Sequence, residues 1–583
     1  MSAPIRIANC SGFYGDRISA AREMVEDGPI DVLTGDWLAE LTMLILAKDR
    51  FKNPDGGYAK TFLKQMDQVM GSCLDKGIKV VANAGGLNPR GMAAALRELA
   101  DKLGLAPKIA YVAGDDLVPR LDELKAAGVD LRNLDTDQDL GDRAVLTANA
   151  YLGGWGIVDA LERGADIVVT GRTTDAAIVM APAAWHHGWS RDSYDELAGA
   201  LVAGHVIECG TQATGGNYAF FDEIPNLIHP GFPIAEIASD GSSVITKHEV
   251  HTGAVTVGTV LSQVLYEITG PRYLNPDVTA RFDSIELAEV GKDRVAITGV
   301  KGEAPPTTSK VCINLAGAVK GSFTFLLVGL DIEKKADLLV EGLFAALPNG
   351  RSTFAETEID LIRSDKEDPE RNEVAAAQLR ITLKDPDETK FGKPLTTAIT
   401  ELGLASYPGF FGGPSAVQAY GVYWPTLVPS ELLTHEVVLG DEVVTVAPTL
   451  AEPTEADVPG VAVSPPPGGE TRRAPLGLVA GARSGDKGGN ANVGVWARTD
   501  EEFAWLSAYL TEERLKELMP ETEKLEVKRF DFPRVKSLNF VVYGLLGEGV
   551  ASSTRMDPQA KSLGEYLRAK HVDIPVSLLG GTA

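Results

Sequence analysis

The chain of 583 residues is poor in cysteine: Cys10, Cys73, Cys209 and Cys312 lie far apart, with no C-x-x-C pair. That spacing excludes a disulfide framework and a zinc knuckle. Nor is there an uninterrupted apolar stretch of about 18 residues, the minimum for a membrane span. The opening residues, MSAPIRIANCSGFYGDR, lack the basic region and apolar run of a secretory signal. Positive charge is scarce as well, with 55 Lys and Arg against 81 Asp and Glu, a net charge of −26. A nucleic-acid binder needs a basic footprint to displace counterions, and an anionic membrane surface would repel this chain. With these classes removed, the expectation is a globular cytoplasmic protein acting on a small molecule. Its 44% hydrophobic and 23% charged residues are ordinary for a folded chain.

The acidity is uneven. Residues 474–583 carry a net charge of only −1, whereas the first 450 carry −23. Across residues 451–475 AEPTEADVPGVAVSPPPGGETRRAP holds six prolines and no periodicity, the mark of a solvated linker. The expected organisation is a 1–450 body with a possible subdivision near 200, a 451–473 linker and a 474–583 module.

In the first 180 residues, apolar runs such as Ile5–Asn9, Ile30–Thr34 and Lys79–Asn83 alternate with amphipathic stretches such as YAKTFLKQMDQVMGSCLDKG. That alternation predicts βαβ units and an α/β fold with a mostly parallel, doubly wound sheet. Beyond residue 200 the β-branched segments RVAITGV, KVCINLAGAVKGSFTFLLVGL and AAAQLRITL predict a mixed α+β second part. The last 110 residues read strand, strand, helix, strand, strand, helix, implying a small ferredoxin-like sandwich.

Three Gly-rich turns follow predicted strands: Ser11–Arg17, Gly85–Gly91 and Thr170–Asp175. In an open parallel sheet ligands bind beyond the carboxyl ends of strands, where backbone N–H groups face an anion. Each turn carries an arginine suited to a carboxylate or phosphate. Arg17, Gly86, Asn88, Arg90, Arg172 and Asp175 are therefore candidate substrate-binding residues, although none of the turns is a nucleotide fingerprint. The plainer alternative is that the glycines serve tight turns and the arginines pair locally.

Residues 192–271 contain ten acids, one lysine and four of the eight histidines. Within them His205, Glu208 and Cys209 are the catalytic candidates: an imidazole or carboxyl for proton transfer, a thiol for addition. A lone cysteine serves equally as a small buried hydrophobe. The run His248-Glu249-Val250-His251 is one residue short of the H-E-x-x-H spacing, so no metal ligand is assigned and no cofactor is identified. In the C-terminal module, ARSGDKGGNANVG packs charged and amide side chains into a glycine loop. Arg483, Lys487 and Asn490 join the binding candidates, and Gly547–Arg555 is a second Gly/Ser loop that could face it.

The ordered motifs NCSGFYGDR, PIDVLTGDWLAELTM, VVANAGGLNP, DIVVTGRTTDAA, HVIECGTQATGGN and ARSGDKGGNANVGVW make the chain resemble the acyclic terpene utilisation protein family, including its C-terminal ferredoxin-fold module. That resemblance implies catabolism of acyclic terpenes such as citronellol and geraniol, alongside an acyl-CoA carboxylase and an enoyl-CoA hydratase; it carries over no catalytic residue. The leading expectation is a hydratase or lyase acting on a branched acyl-CoA or carboxylated intermediate, with a coenzyme A thioester as substrate. A non-catalytic partner of the carboxylase or hydratase, and a metal-dependent hydrolase, stand as alternatives. A chain of this size with an appended module is also expected to be a homo-oligomer.

Overall fold

A computed structural model describes residues 3–580; residues 581–583 of the expected C-terminal module lie outside the described residues. Five short strands, β1 (Ile5–Asn9), β2 (Val32–Gly35), β3 (Lys79–Ala82), β4 (Ile109–Ala113) and β5 (Ile167–Thr170), run parallel in the order β1-β2-β3-β5-β4. They read as continuous apolar runs because both faces are covered. Val32 and Val81 pack with the helices Trp155–Glu162, Ala177–His187 and Tyr194–Ile207. Leu33 and Val80 turn the other way, onto Phe62, Met66 and Leu96 of the helices Lys60–Lys76 and Pro89–Leu103.

The sheet does not stay parallel. It continues through β6 (Pro233–Ile237), β7 (Ser243–Lys247), β8 (Glu286–Gly291), β9 (Arg294–Thr298), β10 (His435–Leu439) and β11 (Glu442–Val446). The eleven-stranded order is β8-β9-β7-β6-β1-β2-β3-β5-β4-β10-β11, and every pairing outside the five central strands is antiparallel. This corrects the expected doubly wound parallel sheet to a mixed one. Short connections such as Ala238–Ser242 permit only hairpins, whereas parallel pairing needs a crossover of a dozen residues or more.

Contacts divide the chain into two compact units. One comprises residues 1–314, 423–550 and 559–583, and the other residues 315–422 and 551–558. The second unit holds a sheet of Glu356–Ile362, Ala376–Asp385 and those parts of the strands Thr308–Val328 and Phe411–Pro429 that fall within residues 315–422, covered by the helices Ile332–Ala345 and Lys393–Ala405. Alternate residues Phe323, Phe325 and Leu327 form its core with Leu339, Leu343 and Leu395.

In the C-terminal part, β12 (Gly481–Lys487), β13 (Asn490–Trp496), β14 (Val527–Phe532) and β15 (Ser537–Val542) form an antiparallel sheet ordered β12-β13-β15-β14. The helices Asp500–Tyr509, Glu512–Leu518 and Leu563–Arg568 pack on Val493, Val495, Leu538 and Phe540. ARSGDKGGNANVG is not a loop but two strands closed by a tight Gly488-Gly489 turn, with Gly488 at φ +65°. Its functional groups therefore alternate along strands, and half of them point at what the sheet packs against.

That partner lies in the same compact unit. Fully buried Asn492 donates to the Leu265 carbonyl at 2.7 Å and accepts from the Glu267 N–H at 2.9 Å. Asn539 donates to the Thr269 carbonyl at 2.8 Å and accepts from Asn492 at 2.8 Å. A Cβ on Gly485 would stand 2.7 Å from the Tyr266 ring, so only glycine permits this approach. The intervening segment, residues 447–468, has no helix or strand. It is nevertheless tied down: Ala304 donates to Thr454 at 2.7 Å, and Ala456 to Glu303 at 3.1 Å.

Candidate functional site

The parallel strands end together, and their carboxyl ends deliver Asn9, Asp36, Asn83, Asp115 and Arg172 to one edge of the sheet. Asn83 donates to Asp36 at 2.5 Å and accepts from the Trp37 N–H at 2.8 Å, which fixes the β2 exit. Asp115 accepts from the Arg172 N–H and from Asn149, both at 2.8 Å. A Cβ on Gly171 would fall 2.2 Å from Asp115, so that glycine makes room for the carboxyl. Burial raises Asp115 to about 7, and it raises Asp36 well above the carboxylate range, with help from Asp175.

Arg172 is 3% exposed. It donates to Asp175 at 2.7 Å and to the Leu38 carbonyl at 3.2 Å, and it lies 4.2 Å over the Tyr151 ring. Lys310 approaches the same ring and that of Tyr423, at 5.0 and 5.5 Å.

His205 sits in the last turn of the Tyr194–Ile207 helix and Glu208 is its C-cap, so the i, i+3 spacing brings them together. His205 Nδ1 lies 3.3 Å from Glu208 Oε1, and the residues are 2% and 7% exposed. Tyr273 and Phe282 flank the imidazole at 5.1 and 5.4 Å. Neither ring nitrogen of His205, nor Glu208 Oε2, forms a hydrogen bond with a described residue, so the 3.3 Å contact is one of distance without hydrogen-bond alignment. Burial, assisted by the Lys487 charge, lowers His205 to about 4. Burial, then Asp175 and Glu267, pushes Glu208 well above the carboxylate range, although Lys487 and Arg172 oppose it. At neutral pH the pair is an uncharged imidazole beside a protonated carboxyl.

The C-terminal module supplies the other wall. Lys487, at the end of β12, lies 5.6 Å over the Tyr273 ring and forms no ion pair or hydrogen bond with a described residue. Lys561 donates to Glu267 at 2.7 Å, to Asp486 at 3.0 Å and to the Tyr266 hydroxyl. Burial works against both ions, yet the pairing holds Glu267 below the usual range and Lys561 above its own.

The other candidates have different surroundings. Arg17 donates to Glu23 at 2.7 Å and to the Pro230 carbonyl at 2.9 Å, over the Phe232 ring. Arg90 is exposed on the Pro89–Leu103 helix, and Asn88 caps that helix by accepting from Gly91 at 2.8 Å. Gly86, at φ +54°, serves the turn before it. The expected cluster of three arginines therefore reduces to Arg172. Arg483 donates to Gln212 and lies 4.2 Å over Tyr266, while Asn490 donates to Asp135 at 2.8 Å. Burial, then Glu208 and Glu267, pushes the Cys209 thiol well above its ordinary value, away from the thiolate a nucleophile requires.

His248 and His251 flank the turn at Glu249 and Val250 that follows β7. His248 Nε2 lies 3.0 Å from the Met24 carbonyl and His251 Nε2 lies 2.8 Å from Asp27. Among the described residues no three His, Cys, Asp or Glu side chains gather as a metal-binding group, and no helix is long and apolar enough to cross a membrane. Asp36, Asn83 and Asp115 were absent from the candidates, yet they follow directly from the rule that sites form at the carboxyl ends of parallel strands. Tyr266, Glu267, Tyr273 and Lys561 carry no local signal at all.

A mixed α/β sheet whose parallel-strand edge is walled by a small α+β module defines the class. Residues 5–439 match the acyclic terpene utilisation family protein AtuA, and residues 474–573 match the AtuA ferredoxin-like domain. The chain belongs to the acyclic terpene utilisation (AtuA) family. No curated protein and no solved structure matches it.

Proposed function

We propose that this chain is an enzyme that adds or removes water at a double bond conjugated to a carbonyl, in an acyl thioester or carboxylated intermediate of terpene catabolism. The observation that carries the reading is the buried His205–Glu208 pair beside Lys487, an ammonium group with no carboxylate partner among the described residues. Hydration needs a base to take a proton from water and an acid to give one to the α-carbon. A neutral imidazole and a protonated carboxyl fill those roles at one pH. Water's oxygen bonds to the β-carbon, the C=C π pair takes the proton from Glu208, and His205 holds the proton lost by water. The two groups lie 3.3 Å apart at Nδ1 and Oε1, and return of the proton from His205 to Glu208, directly after a small rotation or through a water, restores both groups. Lys487 and Arg172 supply positive charge where the carbonyl oxygen or a carboxylate gains negative charge. Cys209 has no part in this scheme.

The test is turnover of branched enoyl-CoA thioesters and of the corresponding free acids, followed by loss of the conjugated double bond. Glu208→Gln and His205→Asn should each reduce kcat by about 10²–10⁴-fold, and Lys487→Ala should lower kcat by about 10²–10³-fold. Failure of the wild-type protein to bind or convert any of these compounds, or wild-type kcat in Glu208→Gln, would overturn the proposal.

A further inference from the structure

A second polar cluster lies apart from the residues just described. Arg191 is half-buried, and its guanidinium lies 4.9 Å over the ring of Trp155, the first residue of its helix. Its single hydrogen bond to a described residue goes to the buried Thr449 hydroxyl, at 3.3 Å, and it forms no ion pair with any described residue. An arginine without a carboxylate is unexpected in a chain with 81 acids and 55 bases, because a guanidinium carries five N–H donors that burial strips of water.

The surroundings supply a reason. Arg191 borders a cavity of about 470 Å³, lined also by Tyr194, Pro448, Thr449, Leu450 and Ala451. That volume is within the roughly 300–1,000 Å³ range of small-molecule sites. Leu450 is 59% exposed, an apolar side chain with nothing covering it. Two further buried donors or acceptors nearby lack partners among the described residues: Trp155 Nε1 and His435 Nδ1. The Arg191 charge is felt at His435, which burial first and then Arg191 lower to about 4. Asp277, the acid felt most at Arg191, is not within ion-pair distance; it accepts from the Gly154 N–H at 2.6 Å, and burial raises it to about 6. Asp192, on the rim, accepts from the Ser190 hydroxyl.

We propose that this cavity binds the carboxylate of an aliphatic acid, with Arg191 and Thr449 holding the carboxylate and Pro448, Leu450 and Ala451 lining the hydrocarbon chain. A guanidinium fork matches the two oxygens of a carboxylate. One cation with Asp192 and Asp277 nearby suits a monoanion and disfavours a dianion such as phosphate or sulfate. The apolar wall makes the chain, not the charge alone, part of the recognition. The assignment is independent of the hydration chemistry, since it uses none of those residues.

The experiment is calorimetric titration of the intact protein with octanoate, octanol and sulfate. Octanoate should bind saturably at one site per chain, with sulfate and octanol each at least tenfold weaker. Arg191→Gln should weaken octanoate at least tenfold and Arg191→Lys less than that. Should Arg191→Gln fail to fold, Leu450→Asp, on the exposed wall, should produce the same loss. Equal affinity for sulfate, absence of saturable octanoate binding, or octanoate affinity unchanged by Arg191→Gln or by Leu450→Asp would each overturn the proposal.

Discussion

Two Gly-rich turns leave parallel strands at the same edge of the sheet, each with an arginine, and they come to different ends. After β1, Arg17 swings back to Glu23 and the Pro230 carbonyl with about a fifth of its side chain exposed. After β5, Arg172 is enclosed among Leu38, Asp115, Tyr151 and Asp175. The composition of the turns is alike; the neighbours are not. β5 lies between β3 and β4, so its exit is surrounded by the exits of other strands, whereas β1 adjoins the antiparallel β6. A site forms where several strand ends converge, and a turn at the margin of that convergence stays a turn.

The comparison can be broken by mutation, from the largest effect downward. Arg172→Ala removes the buried partner of Asp175 and of the Leu38 carbonyl and leaves a void against Tyr151, and should cost about 3–5 kcal/mol in denaturant unfolding. Arg17→Ala, at a partly exposed pair, should cost no more than about 1 kcal/mol; equal losses would remove the distinction. A buried neutral imidazole makes the next contribution. His205 has a folded-state value of about 4 against an ordinary 6.5, so the unfolded chain binds more protons between those limits. Stability is then lost as pH falls from about 6.5 to 4, by about 3 kcal/mol from this group alone. His205→Asn should flatten that slope, leaving the similar contribution of His435; an unchanged slope would place the imidazole in water. Asn492→Ala strips partners from the Leu265 carbonyl and the Glu267 N–H and should cost about 1–3 kcal/mol. Asn490→Ala, on a partly exposed contact to Asp135, should change the unfolding midpoint least.

The same contrast explains what could be read from the chain. The central strands were legible because a strand covered on both faces must be an apolar run, and Ile5–Asn9 and Lys79–Ala82 are such runs. The antiparallel flanks were not, because Pro233–Ile237 and Ser243–Lys247 look alike whichever way they pair, and only the length of their connection decides. His205 and Glu208 stood out by residue type, but their pairing depends on the Tyr194–Ile207 helix ending at that point. Lys561 was invisible: nothing in AKSLGEYLRA marks one lysine as the partner of Glu267, almost three hundred residues earlier. Side chains that meet only through docking leave no periodicity behind.

The candidate site also has a position in time. Its walls come from Asp36 near the start of the chain and Lys561 near the end. At ~5–20 residues per second, a ribosome needs roughly half a minute to two minutes to make what separates them. Between Arg172 and Lys487 the strand ends at this edge are made but neither Lys487 nor Lys561 is, so a nascent chain holds the edge without two of its cations. Any activity housed there would arise only after Lys561 has been made.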